Sequence, residues 1–171
     1  EVAFLKSCGI DTIVTDHHQP GEQMLPDACA VINPWQKGCG YPYKELAGVG
    51  IAYKLAQALT GNAPDLGQHL DLVALGTISD VAPLTGENRI LVKQGLEVLS
   101  NTRKAGLRSL MEVAGIQNKK IESYHVGFIL GPRINATGRM GSAEKALQLL
   151  LCDDAVRAEK LAKFLDSENR Q

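Results

Sequence analysis

The spacing of apolar residues changes once along this chain. Up to Pro34 the pattern is short and mixed, and beyond Tyr43 it is almost wholly helical. Val2, Phe4 and Leu5 sit on a short helix that stops at Gly9, a residue suited to closing a helix in the left-handed conformation. DTIVT (11–15) is rich in β-branched residues and predicts a strand; ACAVIN (28–33) predicts another after the Pro20-Gly21 turn. Residues 35–43 form a loop rich in Gly, Pro and aromatics. After it, Leu46 to Leu59 keeps helical spacing and ends at Gly61, and Leu66, Leu70, Val73 and Ala74 carry the pattern into ALGTISD. NRILVKQGLEVLS, GLRSLMEVAG, ESYHVGFIL, AEKALQLLL and DAVRAEKLAKFL complete six or seven helices after two strands. Helix, strand, connection, strand is the order of a parallel α/β sheet. The expected fold class is therefore α/β, with two strands of a parallel sheet followed by mainly helical segments. The remaining strands are expected upstream of Glu1.

Composition narrows this only slightly. With 171 residues and 44% hydrophobic content, the chain can bury one compact core or two small lobes. No uninterrupted apolar run reaches the ~20 residues a bilayer span needs, and no signal peptide is visible. EVAFLKSCG opens as a helix already in progress and KFLDSENRQ stops inside a helical pattern, so a piece of a longer protein is expected. Four scattered cysteines without a CxxC pair suit a reducing, cytoplasmic setting. A net charge of −1 supplies no overall positive field, so any attraction to nucleic acid must come from local arginines or from other parts of the protein.

Three segments carry candidate chemistry. In TIVTDHHQP (12–20), Asp16, His17 and His18 follow an apolar strand. Ligands of open α/β sheets bind beyond the carboxyl ends of strands. There the backbone leaves strand geometry, so both imidazoles can turn toward one cleft instead of opposite faces. A carboxylate with imidazoles suits Mn²⁺, Zn²⁺ or Fe, or Mg²⁺ where carboxylates dominate; the bland alternative is a polar turn. In LDLVALGTISDVAPL (70–84), Asp80 ends an apolar helix where the dipole disfavours a carboxylate, which suggests a compensating cation. Asp71 in the same segment reads as a solvated or helix-packing group. In GPRINATGRM (131–140), Gly131-Pro132 is expected to break the preceding helix, with glycines keeping the segment open. Arg133 and Arg139 bracket Asn135 there: guanidinium forks and an amide fit phosphate oxygens, unless the arginines serve helix carbonyls. GVG (48–50) reads as close helix packing. Metal ligands from two elements and arginines from a third are the equipment of metal-assisted phosphoester hydrolysis.

Four blocks in order and spacing, TDHHQPGEQMLPDACAVINP, ELAGVGIAYKL, LDLVALGTISDVAPLTGENRILVKQGL and GFILGPRINATGRM, resemble the catalytic core of the RecJ family. These are bacterial single-strand-specific exonucleases of the DHH phosphoesterase superfamily. The resemblance covers almost the whole chain and is weakest over 102–122. It implies a 5′-to-3′ exonuclease that degrades single-stranded DNA with Mn²⁺ or Mg²⁺ in recombination and repair, built on a two-metal centre. Carried over, His17 and Asp80 look like metal ligands, His18 like a ligand or a phosphate contact, and Asp16 like a ligand or the group orienting a histidine. Arg139, Asn135 and, less directly, Arg133 match a phosphate-binding loop. Residues 1–131 would be the C-terminal part of the DHH domain, and 132–171 the phosphate-contacting loop and linker helices toward a second domain. A monomer is implied, with a repair helicase or a single-strand-binding protein as partner.

One departure matters: the family's aspartate-rich DxD-type motif and a further strand-borne aspartate do not occur in this sequence. The chain alone is therefore expected to have little nuclease activity. Two other readings compete. One is another DHH phosphoesterase, acting on short oligonucleotides, cyclic dinucleotides or pyrophosphate; the other is a non-catalytic scaffold. Trp35, Tyr41 and Tyr43 are candidates for base stacking, against a plainer role in packing the loop onto the core.

Overall fold

The computed structural model describes residues 1–21, 25–61, 63–139 and 143–170, without the side chains of 137–139. A short helix α1 (Val2–Ser7) leads through Gly9, at φ +73°, into strand β1 (Ile13–Thr15). Strand β2 (Ala30–Ile32) pairs with it in parallel, Ile13 opposite Ala30 and Thr15 opposite Ile32. Asp16 N–H donates to the Ile32 carbonyl at 3.0 Å, so the ladder runs one residue beyond β1 before the chain turns away. The α/β reading with two parallel strands therefore holds.

Everything after residue 45 is helical among the described residues, apart from the turns between helices. Helix α2 (Gly48–Thr60) ends at Gly61, whose φ of +63° is the left-handed closure expected there. A 3₁₀ turn (Pro64–His69) feeds α3 (Leu70–Ser79), which buries Leu70, Asp71, Val73, Ala74, Leu75 and Thr77. A helix apolar on every side belongs inside the molecule, and α3 does pack against α2, α4 (Gly86–Ser100) and α7 (Gly131–Arg139). Two close approaches fix it. A Cβ on Gly95 of α4 would meet the Leu70 carbonyl oxygen at 2.2 Å, and one on Gly76 would meet Val49 of α2 at 2.8 Å. Asp71 is no solvated group: it is fully buried, accepting from Thr102 Oγ1 at 2.7 Å and Lys104 Nζ at 2.8 Å. It is a packing residue that ties α3 to the segment before α5 (Ala105–Val113).

The main core joins α3 to α5, α8 (Glu144–Leu150) and α9 (Ala155–Asn169) through Leu75, Leu99, Leu107, Leu110, Leu149 and Leu165. A smaller cluster of Leu46, Ile51, Leu70, Val73 and Leu91 seats the loop aromatics Tyr41 and Tyr43. Those tyrosines pack and hydrogen-bond the loop to α4: Tyr41 donates to Glu87 Oε2 at 2.7 Å, and Tyr43 to the Thr85 carbonyl at 2.9 Å.

The break expected at Gly131-Pro132 does not occur. Helix α6 (Ser123–His125), a π-helical stretch (Val126–Leu130) and α7 run on without interruption. A proline inside an α-helix loses one N–H bond and clashes with the carbonyl four residues back. The wider π turn just before Pro132 changes the bonding register, and Gly131 N–H donates to the Val126 carbonyl five residues away.

Candidate metal centre

Asp16 organises the end of β1. Its Oδ1 accepts from His17 N–H at 2.8 Å and His18 N–H at 3.2 Å, folding the chain back at the point where strand pairing stops. The same oxygen lies 2.8 Å from His18 Nδ1. Partial burial raises the Asp16 pKa, but the bonds from the His18 ring and the two amides outweigh it and hold the carboxyl below its usual value. An ionised carboxylate only accepts, so His18 Nδ1 carries the proton of this bond, which leaves Nε2 as the nitrogen available to a ligand-binding tautomer. A histidine oriented through its far nitrogen by a carboxylate is a common metal-ligand arrangement.

His17 takes a different direction. Its Nδ1 lies 3.6 Å from Asp80 Oδ2, and its ring is part-buried while the carboxylate stays open. Two ligands at right angles on one octahedral ion, each about 2.1 Å away, lie about 3 Å apart, so the pair stands about 0.6 Å wider than neighbouring ligands of a Mn²⁺- or Mg²⁺-class ion and would close slightly onto one. The rings of His17 and His18 are 4.2 Å apart between centroids, tilted by 48°. The turn thus keeps both imidazoles together, although only His17 reaches Asp80. Among the described residues no group of three or more His, Cys, Asp or Glu side chains converges as a metal site. The donor chemistry of His17 and Asp80 fits part of the coordination sphere of such an ion.

Asp80 is the C-terminal cap of α3, so the most buried helix of the fold delivers it. It lines a cleft of about 440 Å³ with Val49, Gly76, Ser79, Ile134 and Asn135. Asn135 is thereby on the same cleft as Asp80, as the sequence pattern anticipates. Arg133 is not. Its Nε and Nη2 both reach Asp166 Oδ1, at 2.9 and 2.8 Å, and Nη1 donates to the Ile129 carbonyl at 2.7 Å. All these donors serve α9 and the helix's own carbonyl because position 133 faces the core side of α7, which corrects the phosphate role. Arg139 ends α7, and its side chain lies outside the described residues.

The sequence matches known proteins along its whole length. A model of the DHH family, N-terminal domain, matches residues 1–77. The single-stranded-DNA-specific exonuclease RecJ of Bacillus subtilis (strain 168) is 47% identical over 171 residues, all of this chain and 21% of its own length. Residues 1–77 thus match the DHH family, and the chain as a whole spans about a fifth of the length of its Bacillus subtilis relative. Among solved structures, the crystal structure of RecJ in complex with Mn²⁺ from Thermus thermophilus superimposes with a TM-score of 0.82. It is 39% identical, and the match covers 98% of this chain and 26% of that one. The crystal structure of exonuclease RecJ bound to manganese gives 0.84 at 41% identity, over 99% of this chain and 43% of its own.

Two positions in this site escape the reading from sequence. Asn33, only 4% exposed, donates from Nδ2 to the His18 carbonyl at 2.8 Å and accepts from Trp35 N–H at 2.9 Å. It pins the histidine turn to the end of β2; a polar residue closing an apolar strand just before Pro34 is the available signal. Gly48, first residue of α2, has room for His17 alone: a Cβ there would lie 3.3 Å from His17 Cδ2. Helix packing, the role expected of GVG, describes Val49 against Gly76 and leaves out the histidine.

Proposed function

We propose that this chain is part of a metal-dependent exonuclease that hydrolyses phosphodiester bonds of single-stranded DNA in the 5′-to-3′ direction, in recombination and repair. The carrying observation is the approach of His17 and Asp80, from the end of β1 and the end of α3, to 3.6 Å, with Asp80 itself lining the cleft that Asn135 shares. Similarity to RecJ relatives over the full chain supports the substrate class. The solved RecJ structures with Mn²⁺ and with Mg²⁺ support those ions as cofactors; a two-metal centre is part of the proposal.

In this reading His17 and Asp80 hold the ion, and His18 joins them through Nε2 while Asp16 keeps the proton on Nδ1. Divalent ions of this class, when bound, supply an acidified water and offset charge on the phosphoryl oxygens. The Asn135 amide, on the Asp80 cleft, donates to a phosphate oxygen, and Arg139 at the end of α7 stabilises charge as it builds there. Residues 1–131 act as the C-terminal part of the DHH domain, and 132–171 as helices leading toward a second domain. No helix among the described residues is long and apolar enough to cross a membrane; the proposed setting is the cytoplasm, as a monomer that works beside a repair helicase or a single-strand-binding protein.

The test is digestion of 5′-labelled single-stranded DNA by the full-length protein with Mn²⁺, against duplex DNA, short oligoribonucleotides and cyclic dinucleotides. The reading requires preference for long single strands, lost in His17→Ala and Asp80→Asn. Faster turnover of small substrates would move the protein to another DHH phosphoesterase class. Absence of Mn²⁺ binding would make it a scaffold. The isolated 171-residue chain is expected to be nearly inactive, since among its described residues no group of three or more candidate ligands converges.

A further inference from the structure

The loop that follows Asp80 holds a residue in a backbone conformation that its own side chain disfavours. Val81 has φ +58°. It closes α3 in a Schellman motif: Val81 N–H donates to the Ile78 carbonyl at 3.1 Å, and Ala82 N–H to the Thr77 carbonyl at 3.2 Å. The left-handed position in that motif normally belongs to glycine. A β-branched side chain there is a real outlier, because its Cβ crowds the backbone. The strain is not relieved by packing, for Val81 is 86% exposed. Nor is the loop slack. Tyr43 OH bonds the Pro83 and Thr85 carbonyls at 3.3 and 2.9 Å, and buried Asn88 donates from Nδ2 to the Pro83 carbonyl at 3.0 Å and the Glu45 carbonyl at 2.7 Å.

A strained conformation that its surroundings over-determine, beside a functional group, points to use of the side chain. Val81 directly follows Asp80, the residue whose carboxylate faces His17 and lines the cleft, and its own side chain is open to solvent. A nucleotide held at that pair has to pass this rigid apolar ledge. Resting on the nuclease reading above, we propose that Val81 is a substrate-contact residue at the rim of the metal cleft, where its side chain packs against the sugar and base of the nucleotide next to the scissile phosphate. Valine stands in place of glycine because the side chain is needed on the substrate side.

Val81→Gly isolates the side chain, since glycine takes the same left-handed backbone and leaves Asp80 in place. In the full-length protein, Val81→Gly should melt above wild type. KM for 5′-labelled single-stranded DNA should rise about tenfold, with kcat near wild type. Mn²⁺ affinity, followed by electron paramagnetic resonance, should not change. Val81→Ala should share the KM rise without the gain in melting temperature. Wild-type KM in Val81→Gly overturns the proposal. So does a lower melting temperature, which would place Val81 against another part of the protein, or altered Mn²⁺ affinity, which would mean it acts through Asp80. If the wild-type protein digests no single-stranded DNA, the nuclease reading fails without any variant, and this proposal falls with it.

Discussion

Replacing Gly48 by alanine should weaken metal binding without weakening the fold. A Cβ at this position would lie 3.3 Å from His17 Cδ2 and 3.8 Å from Nε2. Carbon atoms in ordinary contact sit at about 3.5–4.0 Å, so the ring must retreat by a few tenths of an ångström. Because His17 Nδ1 stands 3.6 Å from Asp80 Oδ2, any retreat changes the ligand geometry directly. Metal sites tolerate about ±0.2 Å in ligand distance, and disturbing a ligand's support typically lowers affinity about 10- to 100-fold. The expected loss is at the lower end, about tenfold, since the methyl group displaces the ring without removing it. Stability should hold or rise, because alanine favours a helix over glycine by up to about 1 kcal/mol. Gly50→Ala in the same helix is the control, for its Cβ would meet Leu46 Cδ2 at 3.2 Å and leave His17 alone. Mn²⁺ titration by calorimetry on the full-length protein, alongside thermal melting, reads both effects. Affinity within about twofold of wild type, at unchanged or higher melting temperature, would refute the contact as a constraint on the ligand.

Other expectations follow from the same geometry. Asp71→Ala removes the fully buried carboxylate that pairs with Lys104 Nζ and Thr102 Oγ1, leaving Lys104 only the Gln68 carbonyl; broken buried pairs cost about 3–5 kcal/mol, and Lys104 keeps some water access, so chemical denaturation should show a loss of about 3 kcal/mol. Arg133→Ala removes the bonds to Asp166 and Ile129, so it should lower the melting temperature while leaving KM for DNA at wild type; Arg139→Ala, by contrast, is expected to raise KM with little change in melting. The Lys54–Glu87–Tyr41 cluster predicts an alkaline limb. Partial burial pulls Lys54 down, but its bond and charge interaction with Glu87 carry it above its ordinary 10.5; burial and the bond to Glu87 likewise raise Tyr41. Both folded values exceed the unfolded ones, so this stabilisation is complete below the ordinary values of 10.0 for Tyr41 and 10.5 for Lys54, and disappears as pH rises through the shifted ones. Glu87→Gln should lower stability at neutral pH and flatten that limb in melting curves taken from about pH 8 to 12.

The local elements were legible because their signals are local. β-Branched residues before Asp16, glycines at 9 and 61, and helical spacing from Leu46 onward each act within a few residues. The helix through Pro132 was not legible, because a π turn is a change of register that no residue type announces. Arg133 shows the same limit at the site: two arginines six positions apart look alike in sequence, but Asp166 lies on α9 and only packing decides which guanidinium it takes.

By itself, the sequence determined that this is an α/β chain whose first 77 residues match the DHH family, with an aspartate and two histidines where a strand ends. Tertiary structure decided how those residues divide their work. Asp16 holds His18, and the end of the buried helix α3 presents Asp80 to His17. Gly48 leaves room for the ring, and Val81 closes α3 in a strained turn directly after Asp80. The reason is range: hydrophobic period and backbone preference act along the chain, whereas a contact between residues 17 and 80 exists only once α2, α3 and α4 have packed at glycine distance.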